Sequence, residues 1–188
     1  MTLDATLGAS TADSYISVSE ADAIFAAGFK NAEWSALSQS VKETALKVST
    51  ANLEVLEFVG KRCSPATDDA DKEQALQWPR HEASCRGVVA NCAAIPLPIR
   101  QACASLALDL QKNPNAIDGD GTSGTQGPVK KQQLGSLSQE FFEPGGGDTK
   151  VSPQAALVLQ KFPYLVDLLG CWLESSSQSS RVILRVRS

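Results

Sequence analysis

The strongest constraint on how this 188-residue chain folds is the run Gln74-Ala75-Leu76-Gln77-Trp78-Pro79-Arg80, followed beyond a cysteine-containing loop by Ile95-Pro96. A proline disfavours helical geometry at the residue before it, so Trp78 marks a helix stop. The indole has a large apolar area to bury, so it also anchors that stop. The loop that follows is then held from one end. Neither stretch carries catalytic machinery; both read as packing points and favour binding or assembly.

Helical periodicity brackets this anchor. Ser17 and Glu20 form a capping-box pattern, Ala21, Ile24 and Phe25 follow at helical spacing, and Gly28 suits a C-terminal cap. Ser40 and Glu43 repeat the box, and Ala45, Val48, Leu53, Leu56 and Val59 recur about every 3.6 residues until Gly60. Asp68 to Asp71 place negative charge at the start of a helical segment running to Trp78, whereas residues 80–94 have no clear period. A loop of that length is usually functional or ordered by a partner. Pro96 and Pro98 suit the first turn of a third helix, with Ile99, Cys103, Leu106 and Leu110 on one stripe and Asn113-Pro114 as its end.

The second half is less regular. Residues 115–128 are rich in Gly, Asp, Thr and Ser, and residues 129–142 fit two short strands meeting near Leu134-Gly135. Pro144-Gly145-Gly146-Gly147-Asp148 reads as a linker, Ser152-Pro153 as the start of a fourth helix, and Pro163 as its break before Leu168, Leu169 and Trp172. After a Ser-rich run come Arg181, Val182, Ile183, Leu184, Arg185, Val186 and Arg187, with Val182, Leu184 and Val186 on one face of a strand. A lone tethered strand needs a sheet edge, and we expect a partner's. The expected fold class is mainly α: a small bundle of about four helices with a short β-hairpin extension and a tethered C-terminal strand. Residues 1–174 would form one domain with an insertion around 114–150, and 175–188 the tether and strand.

Composition narrows the function. With 43% hydrophobic residues the chain can bury one core. A formal charge of -4 argues against a surface that grips phosphates everywhere, though local basic patches remain open. The five cysteines, Cys63, Cys85, Cys92, Cys103 and Cys171, form no C-x-x-C pair, so reduced thiols are expected, without a zinc site or a disulfide framework. There is no signal-peptide pattern at the start and no apolar run approaching the ~18 residues of a membrane span. The expectation is a soluble protein made in a reducing cytoplasm.

Catalytic templates find little purchase. His81 is the single histidine and G-x-S-x-G is missing, so a multi-histidine metal site and the usual hydrolase arrangement are both unsupported. Cys85, four positions from His81, is weak grounds for a Cys-His nucleophile pair. The stretch Gly119 to Gly124 matches G-x-G-x-x-G, but no strand leads into it and Gly127-Pro128 follows where a helix should start. A calcium loop from Asp118 fails because Val129 falls where the bidentate Glu belongs. No catalytic residue, metal or cofactor is expected. For single-stranded DNA, the best basic patch is Lys130-Lys131 near Phe141-Phe142, while Trp34, Trp78, Tyr15 and Pro79 belong to the fold. Arg80, His81 and Arg86 are candidates for an interface loop.

The opening Asp13-Ser14-Tyr15-Ile16-Ser17-Val18-Ser19-Glu20-Ala21-Asp22-Ala23, Trp34, the Ala- and Leu-rich helix, the Gln74 to Arg80 block, Ile95-Pro96 and a late Gly-x-Leu follow one order. In this series the chain resembles, almost end to end, the tailed-bacteriophage neck proteins often labelled DnaT-like single-stranded DNA-binding protein. The resemblance implies a non-enzymatic head-to-tail adaptor in the virion neck. It would be a homo-oligomeric ring, a dodecamer matching the portal, that binds the portal protein and a tail or nozzle protein. Genomic DNA would pass through the channel with little specific binding. Residues 181–187 would then serve the oligomer or portal interface. The alternatives are a single-stranded DNA-binding replication accessory protein, favoured by the label, and a stopper or head-completion protein.

Overall fold

The computed structural model describes residues 2–28, 30–63, 73–117, 131–134, 137–140 and 152–174, with backbone alone for the segments 131–134 and 137–140. In chain order the helices are α1 (Val18–Ala26), α2 (Asn31–Ser35), α3 (Gln39–Leu53), α4 (Leu97–Lys112), α5 (Pro153–Lys161) and α6 (Tyr164–Leu169). The strands are β1 (Lys61–Arg62), β2 (Arg80–His81), β3 (Ser84–Cys85), β4 (Val88–Val89), β5 (Lys131–Leu134) and β6 (Leu137–Glu140). They pair antiparallel two by two, β1 with β2, β3 with β4 and β5 with β6. The fold is mainly α, as the sequence implies.

The longest helices, α3 and α4, form the centre. Small residues let them approach: Ala45 and Ser49 on α3 and Ala102, Cys103 and Ala107 on α4 are all buried. The Ser49 hydroxyl donates to the Cys103 carbonyl at 2.7 Å, satisfying a polar group that would otherwise be stranded there. The expected α4 stripe of Ile99, Cys103, Leu106 and Leu110 is buried along its length. α1 begins with the expected capping box between Ser17 and Glu20. Trp34 of α2 stacks on Phe25 at 4.8 Å between ring centroids. Its indole N–H donates to Asp22 at 2.6 Å.

Several boundaries depart from expectation. α3 starts after Ser38, whose side chain makes no capping bond, and ends at Leu53 rather than near Gly60. Val48 is exposed and Leu46 takes the core position, because the stripe is set by the face that meets α4 rather than by hydrophobicity alone. Residues 73–79 are irregular rather than helical, and residues 80–94 hold three of the strands. Residues 64–72, the Gly-rich 118–130, the linker 144–148 and the tail 181–187 lie outside the described residues. β5 and β6 pair antiparallel with Leu134 opposite Leu137, the pairing expected of a hairpin here. Pro163 separates α5 from α6, also as expected.

The cysteines overturn the reduced-thiol expectation. Cys63 bonds to Cys92 and Cys85 to Cys171, with Cα atoms 5.4 and 5.5 Å apart. Separations of 29 and 86 residues hide both pairs from any spacing rule. Cys103 alone is free; burial pushes its thiol up to about 11, against the hydrogen bond with the Thr50 hydroxyl.

Trp78 is 1% exposed, with edge-on rings of Phe58 at 5.6 Å and Trp172 at 5.7 Å. Truncation would open a cavity shared by three chain segments. We expect Trp78→Ala to cost about 3–5 kcal/mol of unfolding free energy, measured as a lowered urea midpoint.

Candidate nucleic-acid interface

Immediately after Pro79 the chain enters a small basic platform. β1 and β2 pair with Lys61 opposite His81 and Arg62 opposite Arg80. Two residues later, β3 and β4 form a hairpin through Arg86 and Gly87, both at positive φ (50° and 82°), the backbone that a two-residue turn between right-twisted strands demands. Arg86 therefore sits at the hairpin tip. Gly60, just before β1, packs against the end of β2 and the Ala83 that follows it, with φ +86°. A Cβ there would lie 2.4 Å from the His81 carbonyl oxygen and 2.8 Å from the Ala83 Cβ, so only glycine permits this approach.

The expected interface residues divide into two kinds. Arg80 turns inward. Its Nε donates to the Val59 carbonyl at 2.9 Å, Nη2 to the Gly60 carbonyl at 2.6 Å and Nη1 to the Gln77 side-chain oxygen at 3.3 Å. Burial lowers its pKa, and Arg62 across the strand pair adds to that effect. Arg80 thus fastens the platform. Gln77 in turn donates to the Glu54 and Leu56 carbonyls, each at 2.7 Å. The Glu54 carboxylate accepts from the Gln77 N–H at 2.9 Å and from the Tyr15 hydroxyl. Burial raises the Glu54 pKa against those hydrogen bonds.

Arg86 and Arg62 are exposed. Most other described cations are engaged: Lys30 with Asp109, Lys42 with Asp22, Lys47 with Asp13, Arg100 with Glu20 and Lys112 with Glu33. Lys61 pairs with Glu82 at 2.7 Å. His81, half-exposed, lies with its Nε2 3.5 Å from the same Glu82. Among residues whose side chains are described, Arg62, Arg80, Arg86 and Lys161 are the cations without an ion pair; Arg80 is spent on neutral acceptors, which leaves Arg62 and Arg86 as the uncommitted cations of the platform. Arg62 escaped sequence reasoning because its partner strand lies 18 positions away in sequence; the dipeptide Lys61-Arg62 after Gly60 was the available sign.

Lys131 lies on β5 opposite Glu140, while Lys130 and the 181–187 segment lie outside the described residues. Tyr15, Trp34, Trp78 and Pro79 are buried, as their assignment to the fold requires. Phe25, Phe58, Phe162 and Trp172 are buried too, so no aromatic ring among the described residues is fully exposed for a base to stack upon. Cys85 is consumed in its disulfide, which removes the Cys85–His81 nucleophile pair. Elsewhere, a groove of about 500 Å³ runs between α3 and the end of α4, lined by Val41, Val48, Leu110 and Pro114.

If Gly60 sets the platform, Gly60→Ala should destabilise the chain by about 2 kcal/mol or more, since positive φ and the carbonyl contact both oppose a Cβ. Urea denaturation measures it. A stability equal to that of the parent would mean that the strand pair is not fixed through Gly60.

A family model described as "Putative DnaT-like ssDNA binding protein" matches residues 1–186. No curated protein and no solved structure matches the chain. Nothing in these comparisons concerns a portal, a tail or a ring.

Proposed function

Because the chain belongs to the DnaT-like ssDNA-binding family across nearly its whole length, we propose that it is a non-catalytic protein that binds single-stranded DNA through the Arg62 and Arg86 platform. The observation that carries the placement is charge availability. Phosphates need cations not already neutralised, and these two arginines stand exposed, Arg62 on β1 and Arg86 at the β3–β4 turn, with no carboxylate partner among the described residues. With no exposed ring beside them among the described residues, contact is to the backbone rather than to the bases. Binding of that kind is independent of sequence and sensitive to salt.

The test is fluorescence anisotropy of the full chain with an unstructured single-stranded oligonucleotide across a salt series. We expect log K to fall linearly with log salt, by about 0.7 for each phosphate neutralised. The double variant Arg62→Glu, Arg86→Glu should bind at least tenfold more weakly with a shallower slope, while Lys161→Glu on α5 leaves binding unchanged. Equal losses from both variants would show nonspecific charge effects and remove the platform from the reading.

A ring-forming head-to-tail adaptor in a phage virion is the second reading. The α3–α4 groove favours it, since Val41 and Val48 are exposed at its edge as a neighbouring subunit would require. Light scattering together with the anisotropy assay distinguishes the two: a ring-sized mass that drops in Val48→Glu, with no salt-sensitive DNA binding, supports the adaptor, whereas salt-sensitive DNA binding at any mass supports the first reading.

A further inference from the structure

Cys63, His81 and Cys92 come from three separate segments, yet their potential ligand atoms all lie within 4.8 Å of one another. We propose that in the reduced chain these residues form a binding site for a soft divalent cation of the zinc class, and that the Cys63–Cys92 disulfide is its oxidised, metal-free form.

The site is positioned by bonds independent of the sulfur–sulfur link. The Cys63 N–H donates to the Pro79 carbonyl at 3.2 Å and to the Gln74 side-chain oxygen at 3.1 Å. His81 is held by its pairing with Lys61. Cys92 lies in a turn closed by the Asn91–Ala94 bridge and by the Ala93 N–H bond to the Asn91 side chain at 2.9 Å. Breaking the disulfide therefore leaves two thiols and an imidazole gathered on one scaffold. A tetrahedral cation at ~2.3 Å from sulfur and ~2.1 Å from nitrogen needs ligand atoms roughly 3.5–3.8 Å apart, a spacing that small side-chain rotations supply here.

The imidazole is arranged as a ligand would be. His81 Nδ1 is shielded from solvent and has no hydrogen-bond partner among the described residues, a costly state for a buried ring nitrogen. Its Nε2 faces Glu82 at 3.5 Å. A metal-bound histidine commonly donates its second N–H to a carboxylate, which fixes the tautomer and leaves the other nitrogen for the metal. By that logic Nδ1 is the ligating atom and Glu82 its outer partner. Two thiolates and a neutral imidazole cancel the charge of a divalent cation, and water fills the fourth position.

Opening the bond is a two-electron reduction. The Cys63–Cys92 S–S bond breaks as an external reductant is oxidised: a dithiol gives up its two protons and becomes a disulfide, or a trialkylphosphine becomes a phosphine oxide with water supplying the oxygen and the two thiol protons. Each thiol then gives its proton to solvent as the cation binds, so affinity rises with pH.

The experiment uses the full chain, freed of metal, reduced with a trialkylphosphine under inert gas and titrated with Co(II), followed by the thiolate-to-cobalt absorption and then by displacement with Zn(II). The expected result is one saturable equivalent in the reduced chain and none in the oxidised chain. Cys63→Ser and Cys92→Ser should each abolish the band, and Cys85→Ser should retain it. His81→Ala should weaken binding by more than about tenfold, the least that losing even an outer partner costs. Circular dichroism checks folding; should the serine variants lose helix, His81→Ala decides, because its ring is partly exposed. A reduced chain with no thiolate-to-cobalt band, or a band unchanged in His81→Ala, overturns the proposal.

Discussion

The burial of Trp78 between Phe58 and Trp172 holds together parts of the chain that secondary structure alone would leave apart. Phe58 follows α3 after a short irregular stretch, Trp172 follows α6, and Trp78 itself lies in a segment with no regular structure. The three rings meet edge to face, an arrangement that their quadrupoles favour over a flat stack. Around them the backbone closes as well: the Val59 N–H donates to the Trp172 carbonyl and the Glu174 N–H to the Glu57 carbonyl, each at 2.9 Å. The residues after α6 are thereby laid along those after α3.

The platform depends on that closure. Pro79 and Arg80 leave the aromatic cluster directly into β2, and Arg80 returns its guanidinium to the carbonyls of Val59 and Gly60, beside Phe58. A charged side chain spent on backbone acceptors is an unusual use of an arginine, since those acceptors could have been satisfied by a sheet neighbour or by water. Here the strands are only two residues long and provide too few ladder bonds to hold themselves. Side-chain bonds from Arg80, Gln77 and Gln74 do what a longer ladder would otherwise do. The exposed arginines stand on this stiffened edge rather than on a free loop.

What the sequence made legible follows from the range of each interaction. The α1 capping box, the α4 stripe, the break at Pro163 and the β5–β6 pairing are all decided within a few residues, and each sits where local chemistry puts it. The overextended α3 shows the limit: Leu56 is a core residue as its spacing suggested, but it reaches the core from beyond the helix end. Long-range pairings were closed to such reasoning. Nothing near Arg62 announces Arg80, nothing near Cys63 announces Cys92, and Arg80 looked as available as Arg86 until the carbonyls around it were seen. Of the expected loop residues, Arg86 is exposed and Arg80 is turned inward, while Arg62 stands on the strand paired with β2.

The formal charge of -4 sits less awkwardly with DNA binding than it first suggests. At physiological ionic strength, screening reduces exposed charges to local influence within about 8 Å, so the balance of the whole chain matters less than what lies beside a phosphate. Most lysines on the helical body are already matched to carboxylates, which leaves that body close to electrically quiet. Arg62 and Arg86 are not matched. A patch of two or three cations can hold only a few phosphates, and without an exposed ring among the described residues it gains nothing from stacking. Contact of that kind is weak for a single chain, and useful affinity then calls for several chains acting on one strand, where each added patch binds at high effective concentration. On the proposed reading, self-association would add to DNA binding rather than compete with it: the apolar groove lies along α3 and α4, and the arginines lie on the strand pairs between those helices in sequence.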